Sequence, residues 1–280
     1  MFAARALPTL RLSAALGRRH LVLPAPIAAN VPAVDYIIDL DGRAGKSRPS
    51  KAPAIVRNIY CIGRNYAAHA RELGNAVPTE EPVIFMKSSA ALRGLDGSPK
   101  DPREKTPSLA FPDEDFHHEI EMVTLIGSDV ELNGLYPGRE TECITGIGLG
   151  LDLTRRPVQD VLKKAGKPWT TAKSFAGSAI VGPIVQWEKS EYGLDELGFE
   201  LSVNGKLRQK GDTSNMIFDV PSQLRFINSL VPLLRGDLIF TGTPEGVNTL
   251  RKGDKFVMSW TKGPLGGKNR DKPVHYKGSL

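Results

Sequence analysis

The stretch His118-Glu119-Ile120-Glu121-Met122-Val123-Thr124-Leu125-Ile126 decides how the chain is read. Its residues have strand propensity from Glu119 onward, and the i, i+2 spacing puts Glu119 and Glu121 on one face of a β-strand. Two adjacent ionised carboxylates repel, and burial worsens the repulsion unless a cation sits between them. Taken alone, the pair fits either a solvated acidic strand face or a buried cation site.

A second strand-like run, Ile144 to Leu153, is apolar despite its glycines and contains the lone carboxylate Asp152. An unpaired buried aspartate is costly, so this one calls for a partner. With Glu119 and Glu121 it makes a hard, all-oxygen set that suits Mg²⁺ or Mn²⁺ and disfavours Zn²⁺. His117 and His118 adjoin the pair, but strand residues alternate faces, and both are left out of the ligand set.

Further strand-type runs are Val34 to Leu40, Asn58 to Gly63, Pro82 to Lys87, Ile180 to Trp187, Phe199 to Val203, Leu238 to Phe240 and Lys255 to Trp260. Helical spacing is confined to a turn or two before Gly74, to Val158–Ala165 and to Ser222–Leu230, while Asn204-Gly205 marks a tight hairpin. Many short strands, frequent Gly and Pro, and few helices predict a β-rich α+β fold. Asp41 to Pro53 reads as a surface arm and 93–115 as a long surface loop. There is no repeat, no Gly-x-Gly-x-x-Gly and no phosphate-binding loop of the Walker type, so nucleotide binding has no support.

The net charge of +6 is misleading until it is located. Residues 1–34 carry four arginines and no acid (+4), and 262–280 carry five cations against Asp271 (+4), which leaves 35–261 at −2. A basic nucleic-acid-binding face on the domain is therefore not expected, and 262–280 reads as a solvated basic tail. No stretch approaches the ~20 apolar residues of a membrane-spanning helix. The two cysteines, Cys61 and Cys143, lie far apart in apolar runs and read as buried, inert thiols.

Residues 1–30 are rich in Arg, Ala and Leu, with no acid before Asp35. That composition predicts a mitochondrial transit peptide and a matrix location, with the cytoplasm as the alternative. The domain layout follows: leader 1–30, arm 31–57, catalytic domain 58–261, basic tail 262–280.

Three weaker signals complete the set. His69 and Glu72, at i and i+3 on a short helix, can hydrogen-bond, and a carboxylate on one imidazole nitrogen raises the basicity of the other. Lys173, in Trp169-Thr-Thr-Ala-Lys-Ser-Phe175, can turn its ammonium inward toward an anion. Thr241-Gly242-Thr243-Pro244-Glu245-Gly246 is a turn whose N–H and hydroxyl groups can bind a carboxylate.

In order, Gly63-Arg64-Asn65-Tyr66 with His69-x-x-Glu72, Glu119-x-Glu121, Asp152-x-Thr154-x-Arg156-x-x-Gln159, Ala172-Lys173-Ser174-Phe175, Gly211-Asp212-Thr213-Ser214-Asn215-Met216-Ile217-Phe218 and Thr241-Gly242-Thr243-Pro244 resemble the fumarylacetoacetate hydrolase superfamily. The resemblance runs from about Asn58 to Trp260 and is nearest the acylpyruvase/oxaloacetate decarboxylase subgroup. It implies a β-roll with a few short helices, a homodimer, and Mg²⁺ or Mn²⁺ held by Glu119, Glu121 and Asp152. It also implies a lid bearing His69 and Glu72, with Lys173, Thr243, Arg64 and Gln159 facing the substrate. Pro157, where an acid is usual, and the basic tail in place of a short terminal strand depart from the pattern.

The expected substrate is a small 2-keto acid, whose carboxylate and keto oxygen chelate the cation that stabilises the enolate. The leading expectation is a hydrolase or lyase acting on carbon–carbon bonds: acylpyruvate hydrolysis with His69 and Glu72 activating water, or oxaloacetate decarboxylation. The alternative is an isomerase, either an oxaloacetate keto–enol tautomerase or a hydroxymuconate-type diacid isomerase, using the same centre.

Overall fold

A computed structural model describes residues 33–34, 36–38, 48–49, 54–95, 109–111, 113–187, 192–263 and 274–280. The leader at 1–30 and most of the 93–115 loop lie outside these residues, although 93–94 complete the Leu92–Gly94 strand.

The central Ile120–Ile126 strand is buried at every position, and its alternate residues serve two different clusters. It pairs antiparallel with Ile144–Asp152 on one side and Leu238–Phe240 on the other. Ile59–Gly63 and then Val83–Lys87 extend the sheet outward. On the far side, Ile184–Gln186 leads to Tyr36–Ile38 and Arg48–Pro49, so parts of the expected 31–57 arm are sheet strands. The strand-rich sheet curls into a half-barrel with few helices, as the β-rich α+β reading expected.

A four-stranded sheet packs on it, with Phe199, Leu201, Phe256, Met258 and Trp260 meeting Ile120, Met122, Ile147, Leu149 and Leu151 in one apolar cluster. Its Gly198–Val203 and Lys206–Asp212 strands form the expected hairpin. Asn204 and Gly205 have φ of 51° and 75°, the left-handed pair a tight two-residue turn requires.

Two expectations need correction. The run Ile180 to Trp187 is not one strand: it breaks into Ala179–Val181 and Ile184–Gln186 at Gly182-Pro183, because proline cannot donate to the ladder. Nor is 262–280 a solvated tail throughout, since Val274–Ser279 pairs antiparallel with Lys255–Lys262. Alternation explains it: His275 and Lys277 are exposed while Tyr276 is buried, a half-buried pattern that charge counting hides.

Candidate metal centre and active site

Register brings the three acids together. On the paired strands Gly150 faces Glu121 and Leu151 faces Ile120, and Asp152 N–H donates to Glu119 O at 2.9 Å. Glu119 and Asp152 are thus cross-strand neighbours one pleat beyond Glu121. Gly150 is required there, because a Cβ would lie 2.8 Å from Phe240 and 2.9 Å from Val123. One oxygen of each acid lies within 4.8 Å of the others, and all three residues are buried.

Three cations surround them. Lys87 Nζ is 2.7 Å from Asp152 Oδ1. Lys173 Nζ bridges Asp152 Oδ2 at 2.6 Å and Glu119 Oε2 at 2.7 Å. Arg156 donates to the other Glu119 oxygen and, at 2.5 Å, to Gln159 Oε1. Burial alone would raise the Glu119 carboxyl, but Lys173 and Arg156 hold it well below the usual range. Glu121 goes the other way, pushed well up by burial and by the charges of Asp152 and Glu119.

The donor set fits a divalent cation. Among the described residues no cation contacts Glu121, whose carboxylate accepts one backbone N–H, from Gly242 at 2.7 Å. Asp152 Oδ1 is met only by the Lys87 ammonium. Glu121, buried and contacted by no cation among the described residues, is therefore the incompletely satisfied oxygen ligand, in a cluster without sulfur.

The His69–Glu72 pair forms as the spacing predicts. The Ala67–Glu72 helix puts His69 Nδ1 3.4 Å from Glu72 Oε2, and Gly246 N–H also donates to Glu72, at 3.0 Å. Burial lowers the His69 pKa, against the pull of Glu119 and Glu72, so the ring is neutral at physiological pH. His69, Arg64, Gln159, Lys173 and Thr243 all line one cavity with Glu119 and Glu121.

Two of the expected site groups contact acids of this chain. The Lys173 ammonium is spent on the acids of this chain, the closest anions to a buried charge. The Thr-Gly-Thr-Pro turn does bind carboxylates, but those of Glu121 and Glu72. Thr243 Oγ1 donates to Ile120 O at 2.8 Å and accepts from Gln209 Nε2 at 2.8 Å. Arg156 and Lys87 were not among the expected site residues. Lys87 ends an apolar strand, the same signal that singled out Asp152. His118 turns away from the acids, with Nδ1 2.8 Å from Gln209 Oε1, and His117 contacts Arg156, so both stay outside the cluster. Cys61 and Cys143 are free and buried, with Cys143 raised to about 11 by burial.

A curled, strand-rich sheet thus carries a buried carboxylate trio beside a His–Glu pair. Residues 58–268 match the fumarylacetoacetate (FAA) hydrolase C-terminal family, and the chain belongs to that family. It is 40% identical over 200 residues to the human protein named oxaloacetate tautomerase FAHD1, mitochondrial, covering 71% of this chain and 85% of that one. The Escherichia coli oxaloacetate tautomerase YcgM is 37% identical over 207 residues, covering 73% and 89%. Among solved structures, fumarylpyruvate hydrolase from Pseudomonas aeruginosa, in complex with Mn²⁺ and pyruvate, aligns with a TM-score of 0.68 at 30% identity, over 89% of this chain and 96% of that one.

Proposed function

We propose that this enzyme forms and reprotonates the enolate of a small 2-keto acid, with oxaloacetate keto–enol tautomerisation as its first activity. The observation that carries this reading is a buried His69 lining the same cavity as Glu119 and Glu121. Glu119, Glu121 and Asp152 would hold Mg²⁺ or Mn²⁺, which supplies electrostatic stabilisation of the enolate when bound. His69 Nε2, made more basic by Glu72 at Nδ1, would take a proton from C3 in the keto-to-enol direction and deliver one to C3 in the reverse, while the 2-oxygen gains or loses its proton to water. Arg64 and Gln159 orient the anion, Thr243 fixes the turn beside Glu121, and Lys173 balances the charge of two ligands. The tautomerase names of the relatives from human and Escherichia coli support this order of activities.

Acylpyruvate hydrolysis is the second reading. A groove of about 350 Å³, lined by Val83, Phe85, Met86, Trp169 and Lys173, adjoins the cavity through Phe85, Trp169 and Lys173, and can house an apolar acyl group. Here His69 would activate water instead of moving a C3 proton, with release of pyruvate and a carboxylic acid. The likeness to a fumarylpyruvate hydrolase supports it. No helix among the described residues is long and apolar enough to cross a membrane. A homodimer in the mitochondrial matrix is the setting we propose, with the cytoplasm as the alternative.

Adding enol-oxaloacetate with Mg²⁺ and following both enol absorbance and pyruvate separates these readings. Rapid loss of enol without pyruvate is the expected result. Pyruvate from acetylpyruvate at a higher kcat/KM than tautomerisation would reverse the order.

A further inference from the structure

Asn65 is wholly buried, and both its amide hydrogens are engaged by backbone. Its Nδ2 donates to Thr241 O at 2.8 Å and to Phe218 O at 3.0 Å. Its Oδ1 accepts from Phe218 N–H at 2.8 Å, and its own carbonyl accepts from Ile217 N–H at 2.8 Å. The Thr241 carbonyl and the Gly242 N–H belong to one peptide group. That N–H is the one donating to Glu121 at 2.7 Å.

A peptide group that accepts at its oxygen is a better donor at its nitrogen, and its plane is fixed by the two bonds together. The backbone here is closely packed against Asn65. Gly242 has φ of +103°, and a Cβ there would lie 2.5 Å from Asn65 Cβ. Thr241 N–H and Oγ1 both bond Met122 O, at 3.1 Å and 2.9 Å, on the residue following Glu121.

We infer that Asn65 is a positioning residue for the metal centre, acting through the Thr241–Gly242 peptide to hold the Glu121 carboxylate in its ligating orientation. Asn65 is also two residues ahead of the Ala67–Glu72 helix, so one side chain references Glu121 and the His69 helix to the same frame. The inference rests on the proposed metal ligands. Groups bonded directly to a metal ligand typically change affinity by about 10–100-fold, and Asn65, one bond further out, is expected at the low end of that range.

The test is Mn²⁺ titration of the full-length protein by calorimetry. Asn65→Ala and Asn65→Ser are compared with Asn228→Ala, a buried asparagine that ties the Glu131 and Val231 carbonyls away from the site. Weaker Mn²⁺ binding by about tenfold or more in the Asn65 variants, with Asn228→Ala losing only thermal stability, is the expected result. Asn65 variants that fold and bind Mn²⁺ within twofold of wild type overturn it. A wild-type protein that binds no Mn²⁺ overturns the metal assignment instead. Should neither variant fold, the wild-type protein decides alone: Mg²⁺ addition should shift the NMR signals of the Gly242 amide and the Asn65 side-chain NH₂ together. An Asn65 signal that stays fixed while Gly242 moves overturns the inference.

Discussion

Lys87 Nζ lies 2.7 Å from Asp152 Oδ1, and both side chains are almost wholly removed from water. Two separated buried charges cost far more than the pair, so each stabilises the other's presence. Lys87→Met should therefore destabilise the fold by about 3–5 kcal/mol in urea denaturation without added metal. The Lys87→Met/Asp152→Asn double variant should recover part of that loss. A double-variant loss equal to the sum of the separate Lys87→Met and Asp152→Asn losses would show the pair to be energetically uncoupled.

Metal dependence is expected to follow the three acids. Asp152→Ala should weaken Mn²⁺ binding by more than about 100-fold, beyond what an indirect partner causes. Added at about 100 times its Kd, the ion should stabilise wild type by about 2.7 kcal/mol, read as a rise in Tm. Full metal affinity in Asp152→Ala would require a different ligand set.

His69→Ala should lower kcat for oxaloacetate tautomerisation by about 10²–10⁴-fold, the usual contribution of a positioned base. Glu72→Gln should cost less, because it leaves the imidazole and weakens only its orientation. A His69→Ala enzyme with unchanged kcat would move the base elsewhere in the cavity.

His69, His117 and His118 all have pKa values lowered from 6.5, in each case with burial as the largest cause. The unfolded chain therefore binds more protons than the native state just below that value. Their contribution to stability is full above pH 6.5 and is lost as pH falls through the lowered native values. The urea midpoint should drop between pH 7 and pH 5, and His118→Asn should flatten that drop. A midpoint constant across this range would contradict the neutral buried histidines.

Much of the centre was legible because its residues break local patterns. Asp152 in a glycine-rich apolar strand and two glutamates at i, i+2 are incongruous in sequence and adjacent in space. The His69–Glu72 pair was legible for the simpler reason that helical spacing is local. Lys87 and Arg156 were missed as site groups because their roles arise from strand pairing and helix placement across long separations. The Val274–Ser279 strand was missed because five cations in 262–280 outweighed a short alternation around Tyr276. Pro183 splits the run Ile180 to Trp187 because a residue without an N–H leaves a gap in the ladder.

Lys87, Lys173 and Arg156 all contact Glu119 or Asp152, and among the described residues none contacts Glu121. The charge of the cage is therefore lopsided, and a divalent ion held by the proposed ligands would meet the least repulsion at its Glu121 corner.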